Sequence, residues 1–139
     1  MLTQEQKSKI KRLAQTEGVR FIVLHGSRAD GTAKAKSDFD VAILLLADNI
    51  TDSLSRYGNL LAGMSSILDA HDDMIDFTDL RQANILLKYE VVRKGILLYG
   101  DPYEYELFKL ASIRDYQDAG DLRNLEQILI AKRQILLAH

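Results

Sequence analysis

Apolar residues follow two alternating spacings along the chain, one helical and one strand-like. Spacing of three to four residues predicts amphipathic helices, and short runs rich in branched side chains predict strands. The predicted helices cover residues 4–17, 52–68, 80–94 and 102–138. The predicted strands cover residues 19–25, 38–46, 73–77 and 96–100. This order predicts an α/β (α+β) fold, in which a small mixed sheet is flanked by helices and followed by C-terminal helices.

Local sequence signals set several boundaries of these elements. A capping-box pattern begins at Thr3, before the first helix, and Gly18 is a typical stop after it. Asp79 is the predicted cap of the third helix, and residues 48–52 are predicted as a turn. The segment 118–121, Asp-Ala-Gly-Asp, is predicted to divide the C-terminal helix into two.

The same spacing predicts which side chains are buried. In the second helix the predicted buried stripe consists of Leu54, Tyr57, Leu61, Met64 and Leu68. In the third helix it consists of Ile85, Leu86, Tyr89 and Val92. The strand at 38–46 is apolar on both faces beyond its two aspartates, so helices are expected to cover the sheet on both sides.

The lengths of the connections predict how the strands pair. A parallel crossover needs a dozen or more residues, but only about ten separate the first two strands, so we expect them to be antiparallel. That pairing brings Ser27, after the first strand, beside Asp38 and Asp40 at the start of the second. The helix-length connection to the third strand favours a right-handed parallel crossover, which places Asp76 level with the other two aspartates.

These three aspartates are the predicted catalytic and metal-binding residues. Asp38 and Asp40 alternate on a strand and therefore share a face. Clustered carboxylates repel each other unless a cation lies between them, and oxygen-only ligands suit Mg²⁺ or Mn²⁺. With Asp76, three carboxylates would support a site for two metal ions. A shift of one residue in the third strand would turn Asp76 away from this site.

The turn after the first strand is the predicted nucleotide-binding element. Gly26 lets a phosphate approach the backbone, the N–H groups that follow favour phosphate oxygens, and Ser27 adds a hydroxyl donor. Arg28 is expected to pair either with phosphate or with one of the aspartates. Lys34 and Lys36, on the loop between the strands, are further candidates for contact with the triphosphate or with product pyrophosphate.

Composition narrows the function classes. Eighteen Lys and Arg against twenty Asp and Glu give a net charge of −2, so no generally basic nucleic-acid surface is expected. The absence of cysteine excludes disulfides, thiolate metal sites and thiol catalysis. Without a signal-peptide layout or a membrane-length apolar run, a cytoplasmic protein is expected. The length of 139 residues predicts one domain, with a catalytic core at about 19–100 and a helical part at about 101–139.

The Gly-Ser turn and the paired aspartates also resemble a known motif. Residues 24–31 (Leu-His-Gly-Ser-Arg-Ala-Asp-Gly) and 37–40 (Ser-Asp-Phe-Asp) resemble the signature of the DNA polymerase β-like nucleotidyltransferase superfamily. The small size is similar to that of its minimal nucleotidyltransferase (MNT) branch, and especially to the antitoxins of HEPN/MNT toxin–antitoxin pairs. The resemblance implies transfer of AMP from ATP, with Mg²⁺, to a tyrosine of a cognate HEPN toxin, an RNase that is thereby silenced.

The resemblance also assigns roles to individual positions. Gly26 and Ser27 match the pair that holds phosphate, and Asp38 and Asp40 match the two-metal carboxylates. Asp76 matches the third aspartate, which in this family binds the catalytic ion and accepts the proton of the attacking hydroxyl.

Three neighbouring positions have other relations to the motif. Arg28 matches an arginine that is frequent in it. His25 stands where an apolar or aromatic residue is common, and we expect it to be a structural histidine with its hydrogen bonds satisfied. Asp30 stands where many members have a basic or neutral residue, which slightly weakens the positive field over the triphosphate.

Two other functions remain open at this stage. One is an antitoxin that neutralises its partner by stoichiometric binding, with the motif as a relic and the C-terminal helix either as an interface or as part of the core. The other is transfer to a small molecule, as in aminoglycoside nucleotidyltransferases, but those enzymes carry a second domain for which this chain is too short.

Overall fold

The computed structural model describes residues 2–46 and 50–137. The helices and strands follow in the order α1 (Gln4–Glu17), β1 (Val19–His25), α2 (Ser27–Asp30), β2 (Phe39–Leu45), α3 (Ile50–Leu68), β3 (Ile75–Asp79), α4 (Ile85–Lys94), β4 (Ile96–Tyr99) and α5 (Pro102–Leu137). A short 3₁₀ turn, Asp72–Met74, leads into β3. The fold is α+β, as predicted.

The sheet has the strand order β3-β2-β1-β4 and mixed directions. β1 pairs antiparallel with both β2 and the edge strand β4, whereas β2 pairs parallel with β3. The predictions from connection length are therefore confirmed. The loop between β1 and β2 is too short for a crossover, and α3 spans the distance that a parallel return requires.

Two apolar clusters cover the two sides of the sheet. Between the sheet and helices α1 and α3 lie Ile10, Ile22, Val41, Ile43, Leu60 and Met64. Between the sheet and helices α4 and α5 lie Phe21, Val23, Ala42, Val91 and Tyr105. Each fully buried Leu, Ile, Val, Met or Phe contributes about 1.5–3 kcal/mol relative to an exposed one. The central strands are thus held from both sides, as the apolar pattern of β2 predicts.

The predicted start of the third helix is wrong. The helix begins at Ile85, where the side chain of Asn84 accepts a hydrogen bond of 2.8 Å from the Leu87 N–H. Asp79 ends β3 instead, and its side chain accepts from the Arg81 N–H at 2.9 Å. Asp79 and Asn84 are both residue types that cap helices well. A tight turn follows β3 and occupies the residues between them, so Asn84 rather than Asp79 becomes the cap.

Parts of the predicted buried stripes are also wrong. Leu54 is 83% exposed, and Ile85 and Leu86 are exposed as well. These residues lie in the first turns of α3 and α4, whereas the buried positions Met64 and Val92 lie farther along each helix. Helical spacing identifies the face that carries apolar residues but not how much of its length reaches the sheet. The turn predicted at 48–52 falls partly on residues 47–49, which lie outside the described residues, and residues 50–52 belong to α3.

The predicted break at 118–121 is absent, since α5 continues through it as one helix of 36 residues. A single glycine costs a helix only about 1 kcal/mol, which neighbouring turns can offset. In the described ranges no helix combines the length and the apolar character needed to cross a membrane.

Because α5 continues through Gly120, it predicts the effect of a substitution at this residue. A Cβ added there would meet nothing within 4 Å. Gly120→Ala should therefore stabilise the protein by about 0.5–1 kcal/mol, because alanine loses less backbone entropy in a helix than glycine. Urea unfolding of the two proteins measures this difference. If 118–121 were a turn that needs glycine, the substitution would lower the free energy of unfolding instead.

Candidate active site

A row of three polar side chains crosses one end of the sheet. His25 of β1 is the register partner of Asp40 of β2, and Asp40 is the register partner of Asp76 of β3. Residues directly opposite each other in neighbouring strands project from the same face, so these side chains stand next to each other. The row lies on the side of the sheet that α4 and α5 cover farther along the strands.

The register that brings Asp76 to this row follows from the apolar neighbours. Ile75 and Phe77 belong to the cluster beneath α1 and α3, so the residue between them must project from the opposite face. Asp76 is exposed there rather than enclosed in the core. The tertiary structure thus places Asp76 beside Asp40, where the sequence pattern predicts it.

Asp38 lies at the mouth of the same edge. It immediately precedes β2, two residues before Asp40, and its side chain is exposed. Asp40 is only partly buried. The three carboxylates therefore line an open edge of the sheet rather than a closed cavity, which leaves room for a large substrate.

The turn that follows β1 packs directly against this edge. Gly26 has φ +70° and ψ −154°, and a Cβ at this position would overlap Oδ2 of Asp40. The helical turn α2 starts at Ser27, and the N–H groups of Ala29 and Asp30 donate to the Gly26 carbonyl at 3.0 and 3.2 Å. Glycine is thus required both by its backbone conformation and by contact with the carboxylate.

Arg28 holds the loop that leads to the aspartates. Its guanidinium donates to the Ser37 carbonyl from Nη2 at 2.7 Å and from Nε at 3.2 Å. It also reaches the Ala35 carbonyl at 3.4 Å and lies over the ring of Phe39 at 4.3 Å. These contacts hold Ser37 and Phe39, the residues immediately before and after Asp38. Arg28 therefore constrains the backbone at Asp38. The expected pairing of Arg28 with an aspartate is not seen in this arrangement.

The loop-holding contacts of Arg28 predict the result of a conservative change. Arg28→Lys retains the charge but loses the planar fork that serves two carbonyls and the ring. We expect the free energy of unfolding without nucleotide to fall by about 1–2 kcal/mol, because the partly buried Ser37 carbonyl loses its two-pronged donor. Equilibrium unfolding in urea provides the measurement. An unchanged midpoint would leave phosphate binding as the better role for Arg28.

The remaining residues of this loop have structural partners or are exposed. Asp30 accepts from the N–H of Thr32 at 3.0 Å and from its hydroxyl at 2.5 Å, and these bonds lower the pKa of Asp30. Asp30 therefore shapes the loop, a role that the sequence pattern does not reveal. Lys34 and Lys36 are exposed on the same loop.

Electrostatics at the row favour a cation. Burial raises the pKa of Asp40 above its ordinary value; His25 lowers it, and the charges of Asp76 and Asp38 raise it further. Burial lowers the pKa of His25 below its ordinary value, while the charges of Asp40 and Asp76 act to raise it. Among the described residues Nε2 of His25 is buried without a hydrogen-bond partner, so the expected full satisfaction of this histidine is wrong.

The donor set fits a hard divalent cation, although the ligands do not form a closed cluster. Neighbouring residues on paired strands have Cβ atoms about 4.5–5.5 Å apart, which lets Asp40 and Asp76 share one ion. The mutual repulsion of the three carboxylates would be relieved by positive charge. Across residues 2–46 and 50–137, however, no three acidic or histidine side chains stand in ready ligating geometry.

The molecule also has a cavity that is separate from the carboxylate row. It has a volume of about 640 Å³ and lies between α1 and the far end of the sheet, near Lys7, Arg20 and Tyr99. None of the predicted site residues lines it. Size alone therefore does not locate the chemistry, since the carboxylate row occupies an open edge.

Comparison with known proteins agrees with this geometry. The family described as "Polymerase beta, Nucleotidyltransferase" matches residues 8–104, which include the turn, the loop and all three aspartates. The chain belongs to this family. The nucleotidyltransferase is also 35% identical, over 99 residues, to "Protein adenylyltransferase MntA" of Shewanella oneidensis, a match that covers 71% of this chain and 67% of the relative.

Solved structures extend the likeness of the nucleotidyltransferase beyond its motif. A toxin–antitoxin crystal structure with AMP-PNP is similar with a TM-score of 0.67 and 31% identity, covering 88% of this chain and 98% of that one. A tri-AMPylated Shewanella oneidensis HEPN toxin in complex with its MNT antitoxin gives a TM-score of 0.62 and 28% identity, covering 91% of this chain and 98% of that one.

Proposed function

We propose that this nucleotidyltransferase transfers AMP from ATP to a tyrosine of a HEPN toxin and thereby silences the toxin. The observation that carries the proposal is the register of Asp40 with Asp76, beside the tight turn at Gly26. The relative named as a protein adenylyltransferase and the similar complex with an AMPylated toxin support the nucleotide and the acceptor. Because ATP is the donor, we place the reaction in the cytoplasm.

The carboxylate row and the turn at Gly26 have different roles in the proposed reaction. We propose that Asp38, Asp40 and Asp76 hold two Mg²⁺ ions, or Mn²⁺ in their place. When bound, such ions neutralise triphosphate charge and lower the pKa of an attacking hydroxyl. Gly26 and Ser27 receive the β- and γ-phosphates, since glycine permits close approach and the serine hydroxyl donates a hydrogen bond.

The transfer itself is an in-line substitution at the α-phosphorus. The tyrosine oxygen forms the new bond to this phosphorus, the bond to the bridging oxygen breaks, and pyrophosphate leaves. The tyrosine proton passes to the carboxylate of Asp76, which is exposed and therefore accessible to an incoming hydroxyl. Arg28 contributes by holding the loop before Asp38, and contact of Arg28, Lys34 or Lys36 with the triphosphate stays a prediction.

An open edge favours a protein as acceptor over a small molecule. Small ligands bind in clefts that enclose most of their surface. Here Asp38 and Asp76 are exposed, and the described part of the chain places no second domain over them. A tyrosine presented on a folded partner would itself complete the enclosure.

Titration of a HEPN toxin from the same genome separates catalysis from binding. With ATP and Mg²⁺, a tenth of an equivalent of this protein should silence the toxin's RNase activity, and the toxin should gain the mass of one or more AMP groups. Omission of ATP should abolish silencing at this ratio. Silencing that needs a full equivalent and proceeds without ATP would establish the stoichiometric alternative instead.

A further inference from the structure

His25, the last residue of β1, buries a polar atom that the described part of the chain does not satisfy. Its Nε2 is buried and has no hydrogen-bond partner among the described residues. Burial of a nitrogen in this way lowers stability, because the atom gives up water without gaining a protein partner. An apolar side chain of similar size would avoid that loss. A buried polar atom left without a partner beside a reactive site therefore points to a role in that site.

The imidazole of His25 lies beside the proposed metal ligands. His25 is the register partner of Asp40, and the charges of Asp40 and Asp76 both act on the pKa of the ring. Directly opposite residues on paired strands have Cβ atoms about 4.5–5.5 Å apart. Asp76 is one strand farther away, at about twice the strand spacing of 4.7–4.9 Å. Asp40 is therefore the carboxylate within reach of the ring.

The carboxylate of Asp40 is held on one side only. It rests against the turn that follows β1, since a Cβ at Gly26 would overlap its Oδ2. The pKa of Asp40 is shifted by burial and by neighbouring charges rather than by a hydrogen bond. The last torsion of an aspartate is broadly distributed, so contact with a glycine leaves the carboxylate free to turn. Carboxylates that ligate a metal are in general fixed by a hydrogen bond from a neighbouring group.

We propose that His25 is a positioning residue for Asp40, whose carboxylate accepts a hydrogen bond from the imidazole N–H when it binds the divalent ion. This inference rests on the proposed function, in which Asp40 holds Mg²⁺. A neutral imidazole carries one N–H and a charged one carries two, so a donor is present in either form. A lysine or arginine would be a poorer donor here, since its permanent positive charge would compete with the metal for the carboxylates.

Two replacements of His25 separate the hydrogen-bond donor from the shape of the side chain. Gln and Met are unbranched and similar in length, but only the amide of His25→Gln offers an N–H. Tyr105→Phe is the matched control. The Tyr105 hydroxyl is also buried without a hydrogen-bond partner, but it lies in the cluster between the sheet and helices α4 and α5, outside the carboxylate row. Circular dichroism verifies that the three variants fold.

The electron paramagnetic resonance signal of free Mn²⁺ measures metal affinity without nucleotide. His25→Met should bind Mn²⁺ about 10–100-fold more weakly than the parent, and His25→Gln should stay within about threefold of it. Without metal, the urea midpoint of His25→Met should lie above that of the parent, because a buried nitrogen without a partner is removed. Tyr105→Phe should leave Mn²⁺ affinity unchanged. With ATP and Mg²⁺, His25→Met should lower kcat for AMP transfer and leave the KM for the HEPN toxin unchanged.

The contrary results are distinct from one another. If His25→Met binds Mn²⁺ as the parent does, the positioning role is overturned, whether or not AMP is transferred. Equal loss of Mn²⁺ affinity in His25→Gln and His25→Met would also overturn it, because the N–H would then not be the group that matters. A parent that binds no Mn²⁺ at millimolar concentration has the same consequence. If only His25→Met loses Mn²⁺ affinity but the parent transfers no AMP to the toxin, the positioning role stands and the proposed function fails.

Discussion

Asp40→Asn should reduce AMP transfer by about 1000-fold while the protein stays folded. In its proposed role as a metal ligand, Asp40 would contribute several kcal/mol of transition-state stabilisation, and each 1.36 kcal/mol corresponds to a factor of ten. Asparagine preserves the shape of the side chain and removes its charge. Initial rates with labelled ATP and the HEPN toxin measure the effect, and Asp115→Asn, an exposed aspartate on α5, serves as the control. A loss of less than tenfold would count against the carboxylate row as the site.

Asp40→Asn should also change how the free energy of unfolding depends on pH. Because the pKa of Asp40 is raised in the folded state, the folded protein holds this proton more tightly than the unfolded chain does. Protonation of Asp40 therefore contributes fully to the parent's stability at acid pH. This contribution is lost as pH rises from the unfolded pKa of about 3.9 through the higher folded value. Asp40→Asn does not titrate there.

Unfolding without metal, measured from pH 3 to pH 7, tests that linkage. The advantage of Asp40→Asn over the parent should be smallest at pH 3 and should grow towards pH 7. An advantage that shrinks as pH rises would mean that the neighbours of Asp40 stabilise its charged form, rather than burial and the charges of Asp76 and Asp38 destabilising it.

Gly26→Ala should disrupt both the fold and the reaction. The backbone conformation at this residue is essentially restricted to glycine, at a cost of about 1–3 kcal/mol for other residues, and the added Cβ would overlap Oδ2 of Asp40. Relief of that overlap displaces the carboxylate, and a misplacement of about 1 Å can cost roughly 100-fold in rate. Urea unfolding and initial rates of AMP transfer give the two quantities.

Gly31→Ala separates the contact from the backbone effect. Gly31 also has positive φ, at +83°, but a Cβ there meets nothing within 4 Å. Its substitution should cost about 1–2 kcal/mol of stability and leave the rate of transfer within a few-fold. Equal rates for the two alanine variants would contradict the proposed closeness of Gly26 to the reacting groups.

Much of the site is encoded within short stretches of the chain. Branched apolar runs define β1 and β2, and the brief loop between them requires antiparallel pairing. These local features bring the Gly26 turn to Asp38 and Asp40 without help from distant residues. The motif in residues 24–40 also carries the family resemblance, which the comparison with known families bears out.

Other features depend on contacts between distant parts of the chain. The start of α4 at Ile85 depends on the tight turn at Asp79, and the continuity of α5 overrides a local break signal. Arg28 looked available for phosphate in the sequence, yet its guanidinium is engaged by carbonyls of the following loop. Local propensities of this kind differ by only about 1 kcal/mol, so tertiary contacts decide among them.

The amino-acid sequence by itself determined the strands, the mixed pairing and the chemical character of the candidate site, because these follow from periodicity and loop length over neighbouring residues. The sequence also predicted Asp76 level with the other two aspartates, but only the tertiary structure decided between that register and one shifted by a residue, and only it showed that the C-terminal half of α5 is exposed. Strand register and the exposure of a helix depend on how separate elements pack together. The free energy of that packing is not contained in any one segment.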